Sequence, residues 1–222
     1  CMSWTWFLSN LMQFYWVAPL ALVPLAFHKK AVWPRIVGLA VVGMFVLVHV
    51  VMTVVLELDV NGDVLRRQSE YFWIIFQQPY CRVAPFAIGL GLGYLLDRTN
   101  FRFCMGKAVV CIGWVTAFAT STTLTLITYD ENQHLLEDAT GWSRTSRVVH
   151  ETLQRPLWGL VVCWVVFACT TEHGGPINRF LSWRGFLPLS RLTYCVYLLH
   201  PVVILCDLFA YRVFAYFTIG YV

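Results

Sequence analysis

The chain has 222 residues, of which 59% are hydrophobic and 13% charged, with a formal net charge of +4. Those proportions exclude an ordinary soluble domain, and the basic residues, scattered through short loops, exclude an extended nucleic-acid surface. What remains is an all-α, multi-pass integral membrane helical bundle, because apolar runs of about 20 residues recur and that length carries a helix across a bilayer.

Six transmembrane spans are expected, over residues 8–27, 36–56, 81–96, 107–127, 156–171 and 194–214. The third and fifth are short: at about 1.5 Å per residue, 81–96 reaches only about 24 Å and needs local thinning or packing inside the bundle. The chain enters its first span almost directly from Cys1 without the n-region of a signal peptide, and reads as a portion of a longer protein. Loops 28–35, 97–107 and 172–191 carry nine Lys/Arg and two acids, a density that places them in the cytosol and both chain ends on the other side.

Within loop 57–82, a basic end followed by the apolar run 71–76 suits a helix lying in the membrane interface, or a connector tucking its aromatics against the bundle. Arg82 stands at the non-cytosolic mouth of the third span. A guanidinium there can snorkel to the interface, which its position favours, or point inward and hold a carboxylate, phosphate or developing oxyanion. The run Ala87–Tyr94, AIGLGLGY, places Gly89 and Gly93 at small-xxx-small spacing and predicts a close helix contact; a phosphate loop would need a preceding strand.

Thr120, Ser121, Thr122, Thr123 and Thr125 give the fourth span a hydroxyl-rich end; most such hydroxyls bond their own helix's carbonyls, and a polar cavity for an alcohol or a sugar is the alternative. Loop 128–155 is polar and shows nothing catalytic. His49 and His200 are the histidines inside spans. His49 is read as a bundle histidine bonded to a backbone carbonyl or a Ser/Thr. His200 has the better claim to a cavity, because Pro201 beside it frees a carbonyl one turn earlier. Cys111, Cys163, Cys169, Cys195 and Cys206 fall in spans at spacings that match no zinc pattern, and read as small core residues. Cys1 and Cys81 both lie at non-cytosolic span ends, where a bridge is an open alternative to chance placement. Trp4, Trp6, Trp33, Trp142, Trp158 and Trp183 form an expected interfacial belt.

Three segments carry a resemblance. CMSWTWFLSNLMQFY (1–15), QPYCRVAPFAIGLGLGYLL (78–96) and FLSWRGFLPLSRLTYCVYLLHP (180–201) resemble, in order and separation, the nose resistant to fluoxetine proteins of the membrane-bound acyltransferase family 3. The resemblance implies that residues 1–222 are part of one acyltransferase transmembrane domain that continues beyond both ends. It implies an O-acyltransferase moving an acyl group from acyl-CoA to a hydroxyl of a lipid, sugar or small molecule. The setting would be the endoplasmic reticulum or plasma membrane, with membrane lipids as partners, no bound cofactor and no metal. The family's principal catalytic histidine and its companion arginine lie on an earlier helix, outside this chain. By the same resemblance Arg82 falls on the arginine of a Pro-Tyr-x-Arg segment and His200 on the histidine of a Tyr-Leu-x-His-Pro segment, making these the catalytic candidates here. Trp6, Gln13, Phe14 and Tyr15 fall on a Trp- and Gln-rich opening and are expected to line the cavity. Two alternatives stay open: a transporter or uptake protein for lipids or amphiphilic drugs, whose polar intramembrane residues serve a translocation path equally well, and an inactive fragment.

Overall fold

The computed structural model describes residues 5–27, 32–59, 76–101, 103, 105–136 and 143–210. Among them are seven α-helices and no strand: α1 (Trp6–Phe27), α2 (Val32–Asp59), α3 (Val83–Arg98), α4 (Lys107–Leu136), α5 (Arg144–Thr170), α6 (Gly175–Leu181) and α7 (Phe186–Ala210), with a single 3₁₀ turn at Pro79–Cys81 leading into α3. Five of the helices are long and apolar enough to cross a membrane, over Trp6–Leu25, Arg35–Leu56, Lys107–Tyr129, Thr145–Thr170 and Phe186–Asp207. The remaining expected span, the third, is α3, whose 16 residues make it the short element its sequence implied.

Three helices extend beyond the bounds that hydropathy alone suggests. α5 begins at Arg144 rather than near residue 156, because Ser143 caps it: its Oγ accepts the Ser146 N–H at 3.2 Å. α4 continues to Leu136, so most of the expected loop 128–155 is helical. α7 starts at Phe186, before the expected 194, and residues 211–214 of that span lie outside the described residues. The interfacial segment 60–75 also lies outside them, as do Cys1, Trp4 and Trp142.

The centre of the bundle is α2, α3 and α5, which pack on one another; α1 lies against α2 and α3, and α4 against α5. Phe45, Val83 and Ala87 form the buried core, with Phe14, Val41, Val42 and Val46 packed on it. α7 has no buried residue among its described side chains and meets α1 through Phe7 and Tyr197, whose ring centroids are 6.1 Å apart.

The glycine stripe of α3 does not make the contact expected of it: a Cβ on Gly89, Gly91 or Gly93 would meet nothing within 4 Å. The close approaches are elsewhere. A Cβ at Gly159 of α5 would lie 3.1 Å from the Pro85 Cα of α3, and one at Gly38 of α2 would lie 3.0 Å from the Ala21 carbonyl oxygen of α1. The cysteines differ from expectation too. Cys111, Cys195 and Cys206 are exposed on outward faces and Cys163 and Cys169 are half-buried, whereas Cys81 is fully buried. The hydroxyls of α4 behave as expected: Ser121 donates to the Phe118 carbonyl at 3.0 Å and Thr125 to the Ser121 carbonyl at 2.9 Å.

Thermal unfolding in detergent checks the helix contacts. Gly159→Leu is expected to destabilise the fold by about 1–3 kcal/mol through overpacking against Pro85, and Gly93→Leu to change stability by less than about 0.5 kcal/mol.

Candidate functional site

The site grows from the problem of leaving a helix inside an apolar bundle. Around Pro79–Cys81 the chain is not α-helical, so its carbonyls need donors from other elements. Asn10 of α1, buried, donates its Nδ2 to the Gln77 carbonyl at 2.7 Å. Arg155 of α5 donates Nη1 to the Cys81 carbonyl at 2.9 Å. Its other terminal nitrogen lies 3.6 Å from the Glu151 carboxylate, and both side chains are nearly buried.

Arg82 follows directly. Its Nε donates to the Phe76 carbonyl at 2.6 Å. The guanidinium carbon lies 4.7 Å from the Trp6 ring centroid and 4.2 Å from that of Phe76. Cation–π contacts of this kind contribute about 0.5–2 kcal/mol, more as water is excluded. Among the described residues, the Trp6 and Phe76 rings and the Phe76 carbonyl hold Arg82 at the head of α3. Gln13 and Phe14, expected in a cavity, do line one: with Val17, Phe45, Val48, Pro79, Tyr80, Val83 and Phe86 they form an apolar cleft of about 190 Å³ between α1, α2, the turn and α3. Tyr15 is exposed outside that lining, and its ring meets Phe86 edge-on at 6.5 Å.

Two of the histidines within the candidate spans, His49 and His200, do parallel jobs. A proline inside a helix lacks the N–H that would bond the carbonyl four residues earlier. Pro201 frees the Tyr197 carbonyl in this way, and His200 Nδ1 lies 2.7 Å from it. Pro156 frees the Thr152 carbonyl, and His49, reaching across from α2, brings Nε2 to 3.2 Å of it. A carbonyl only accepts, so the bonded nitrogen carries the proton in each ring. His200 thereby presents its Nε2 lone pair from a position on α7 that is exposed among the described residues. His49 is fully buried as expected of a bundle histidine. Thr53, one turn on from His49 along the same face of α2, and Thr152 are also buried, and the Thr53 hydroxyl stands beside the Cys81 thiol.

Arg82 and His200 are not in contact. A row of rings separates them: Arg82 lies on Trp6, Trp6 meets Phe7 at 6.0 Å, Phe7 meets Tyr197 at 6.1 Å, and Tyr197 meets His200 at 5.8 Å. The first turn of α1 thus carries both candidates on its flanks. The buried group of His49, Thr53, Cys81, Glu151, Thr152 and Arg155 was not anticipated as a unit. Its signal was present in Pro156, four residues after Thr152, which announces a carbonyl in need of a donor. Among the described residues no cluster of His, Cys, Asp and Glu has metal-binding geometry.

A family model described as an acyltransferase domain, that of the acyltransferase 3 family, matches residues 1–221. The chain is 30% identical over 220 aligned residues to nose resistant to fluoxetine protein 6 of Caenorhabditis elegans, an alignment covering 92% of this chain and 26% of that protein. The chain therefore spans about a quarter of the length of this curated relative. No solved structure matches the chain.

The proline–histidine pairing predicts a coupled pair of mutations. His49→Ala is expected to destabilise the protein by about 1–3 kcal/mol in denaturant unfolding. The same substitution made in Pro156→Ala is expected to cost at least about 1 kcal/mol less, because the restored N–H at position 156 satisfies the Thr152 carbonyl from within α5.

Proposed function

The chain belongs to the acyltransferase 3 family, and from that premise we propose that it forms part of a membrane-bound O-acyltransferase, transferring an acyl group from acyl-CoA to a hydroxyl of a lipid, sugar or small molecule. The observation that carries this reading is the family match across residues 1–221. Catalytic residues supplied by the rest of the protein complete the site.

The chemistry needs three services. A base takes the acceptor's hydroxyl proton as oxygen attacks the thioester carbon, a cation stabilises the oxyanion of the tetrahedral intermediate, and the CoA thiolate departs and is protonated. Arg82 fits the second service. Its position is fixed by Trp6, Phe76 and the Phe76 carbonyl, so no reorganisation is required as charge develops. His200 fits a proton-handling role through Nε2, since its Nδ1–H is committed to the Tyr197 carbonyl. The cleft flanking Arg82 suits the hydrocarbon part of a substrate: an apolar cavity of about 150 Å³ holds a six-carbon ring, and 190 Å³ accommodates slightly more.

Arg82→Ala and His200→Ala in the full-length protein are expected to lower kcat/KM for acyl transfer by about 10²-fold, with helical content and membrane insertion retained. Wild-type rates in both would remove these residues from the mechanism. If purified protein is stabilised by an amphiphilic cargo and not by any acyl-CoA, and releases no CoA, the activity is transport instead. The cleft is checked separately: Val48→Phe is expected to raise KM for an octanoyl donor about tenfold and leave that for an acetyl donor within about twofold.

A further inference from the structure

The buried group at the proline break of α5 reaches, through Arg155, the backbone just before Arg82. Pro156 opens the helical ladder at Thr152, and His49 of α2 occupies the freed carbonyl with Nε2 at 3.2 Å, tying α2 to α5 there. Arg155 lies one residue before the proline, and its Nη1 reaches 2.9 Å to the Cys81 carbonyl. The His49 ring lies within electrostatic reach of both Arg155 and the Cys81 backbone. The Cys81 thiol is fully buried beside Thr53 and Arg155. The peptide that joins Cys81 to Arg82 is thus anchored at its carbonyl, while the guanidinium beyond it is anchored at Phe76 and Trp6.

We infer that His49 and Arg155 are positioning residues: they brace the Cys81–Arg82 peptide from α2 and α5 and so fix where the Arg82 guanidinium stands at the head of α3. The role rests on Arg82 serving the chemistry proposed above, but the brace itself is a statement about geometry and is tested without activity. The arrangement explains why an arginine, with its fixed fork of donors, occupies position 155: one nitrogen holds the Cys81 carbonyl while the other faces the Glu151 carboxylate. It also explains why a fully buried imidazole is retained at 49, where an apolar residue would leave the Thr152 carbonyl without a donor in a medium that has no water to offer. A displacement of about 1 Å in a charge-stabilising group costs on the order of 10²-fold in rate, so a brace at this place acts on turnover more than on binding.

The test reads the Arg82 side chain directly, by the ¹H–¹⁵N resonance of its Nε–H in the intact chain in detergent micelles, assigned by its disappearance in Arg82→Lys. With the guanidinium carbon 4.7 Å from the Trp6 centroid and 4.2 Å from that of Phe76, ring currents are expected to displace that resonance from those of other arginines. Arg155→Met removes one arm of the brace and leaves Glu151 buried beside an apolar chain; the double variant Glu151→Gln/Arg155→Met avoids that charge and keeps the experiment interpretable if the single variant does not fold. The expected result is that the displaced resonance collapses toward the other arginines in the double variant and in His49→Ala. In His49→Gln, whose amide N–H still donates to the Thr152 carbonyl, it is expected to persist. In acyl transfer by the full-length protein, kcat is expected to fall about 10–10²-fold with KM within about twofold, and His49→Gln to restore most of it. An unmoved resonance in both the double variant and His49→Ala overturns the inference, as does its loss in His49→Gln. A wild-type protein without acyl transfer, in which the resonance nonetheless collapses as described, leaves the brace standing and overturns the acyltransferase reading.

Discussion

A carbonyl that has lost its helical partner inside a bilayer has no water to turn to, and much of this structure follows from meeting that demand. Pro156 creates one such group at Thr152 and the departure from helix at Pro79–Cys81 creates others; His49, Arg155 and Asn10 answer them from three different helices. Each answer is a cross-element bond between buried or nearly buried partners, where an unmet acceptor costs several kcal/mol. The polar residues that mark this bundle are therefore distributed by where the backbone breaks. Hydrophobic packing of Phe45, Val83 and Ala87 brings α2 and α3 together, but the bonds at the breaks specify which residue faces which.

The same demand divides the two histidines. His200 serves a carbonyl of its own helix, which leaves the imidazole on the outside of α7 and its second nitrogen available. His49 serves a carbonyl of another helix and is sealed in by doing so. One residue type thus acts as a site group in one place and a structural tie in the other, and the difference lies in whether the broken ladder belongs to the histidine's own element. Arg82 and Arg155 divide similarly. Arg82 stands at the head of α3 between two rings, and Arg155 spends its fork on the turn and on Glu151.

Composition and apolar run length were enough to read the helical membrane architecture, because lipid permits few ways to satisfy a backbone. Helix ends were harder. α5 gains its first turns from Ser143, a capping signal that hydropathy does not register, and those turns carry Glu151, Thr152 and Arg155. The glycines of α3 show the complementary limit. Gly89 and Gly93 have the spacing of a helix contact, yet the neighbour that uses a missing Cβ is Pro85 against Gly159, a lone glycine with no motif around it. Spacing states which residues share a face; what stands opposite depends on the other helix. At the site, Gln13, Phe14 and Arg82 were legible through their segments, whereas the cluster around His49 is assembled from three elements distant in the chain, and no local pattern joins them.

The contact between Gly159 and Pro85 has a mechanical side. Two helix backbones that meet at one glycine, with the pyrrolidine ring of the partner seated in the gap, cannot slide along each other without driving Cβ-bearing residues into that ring. α3 is thereby keyed to α5 at Pro85, three residues after Arg82, while Leu96 buries its far end. The register of the arginine against α5 is set by a single notch, in the way a key is located by its bitting.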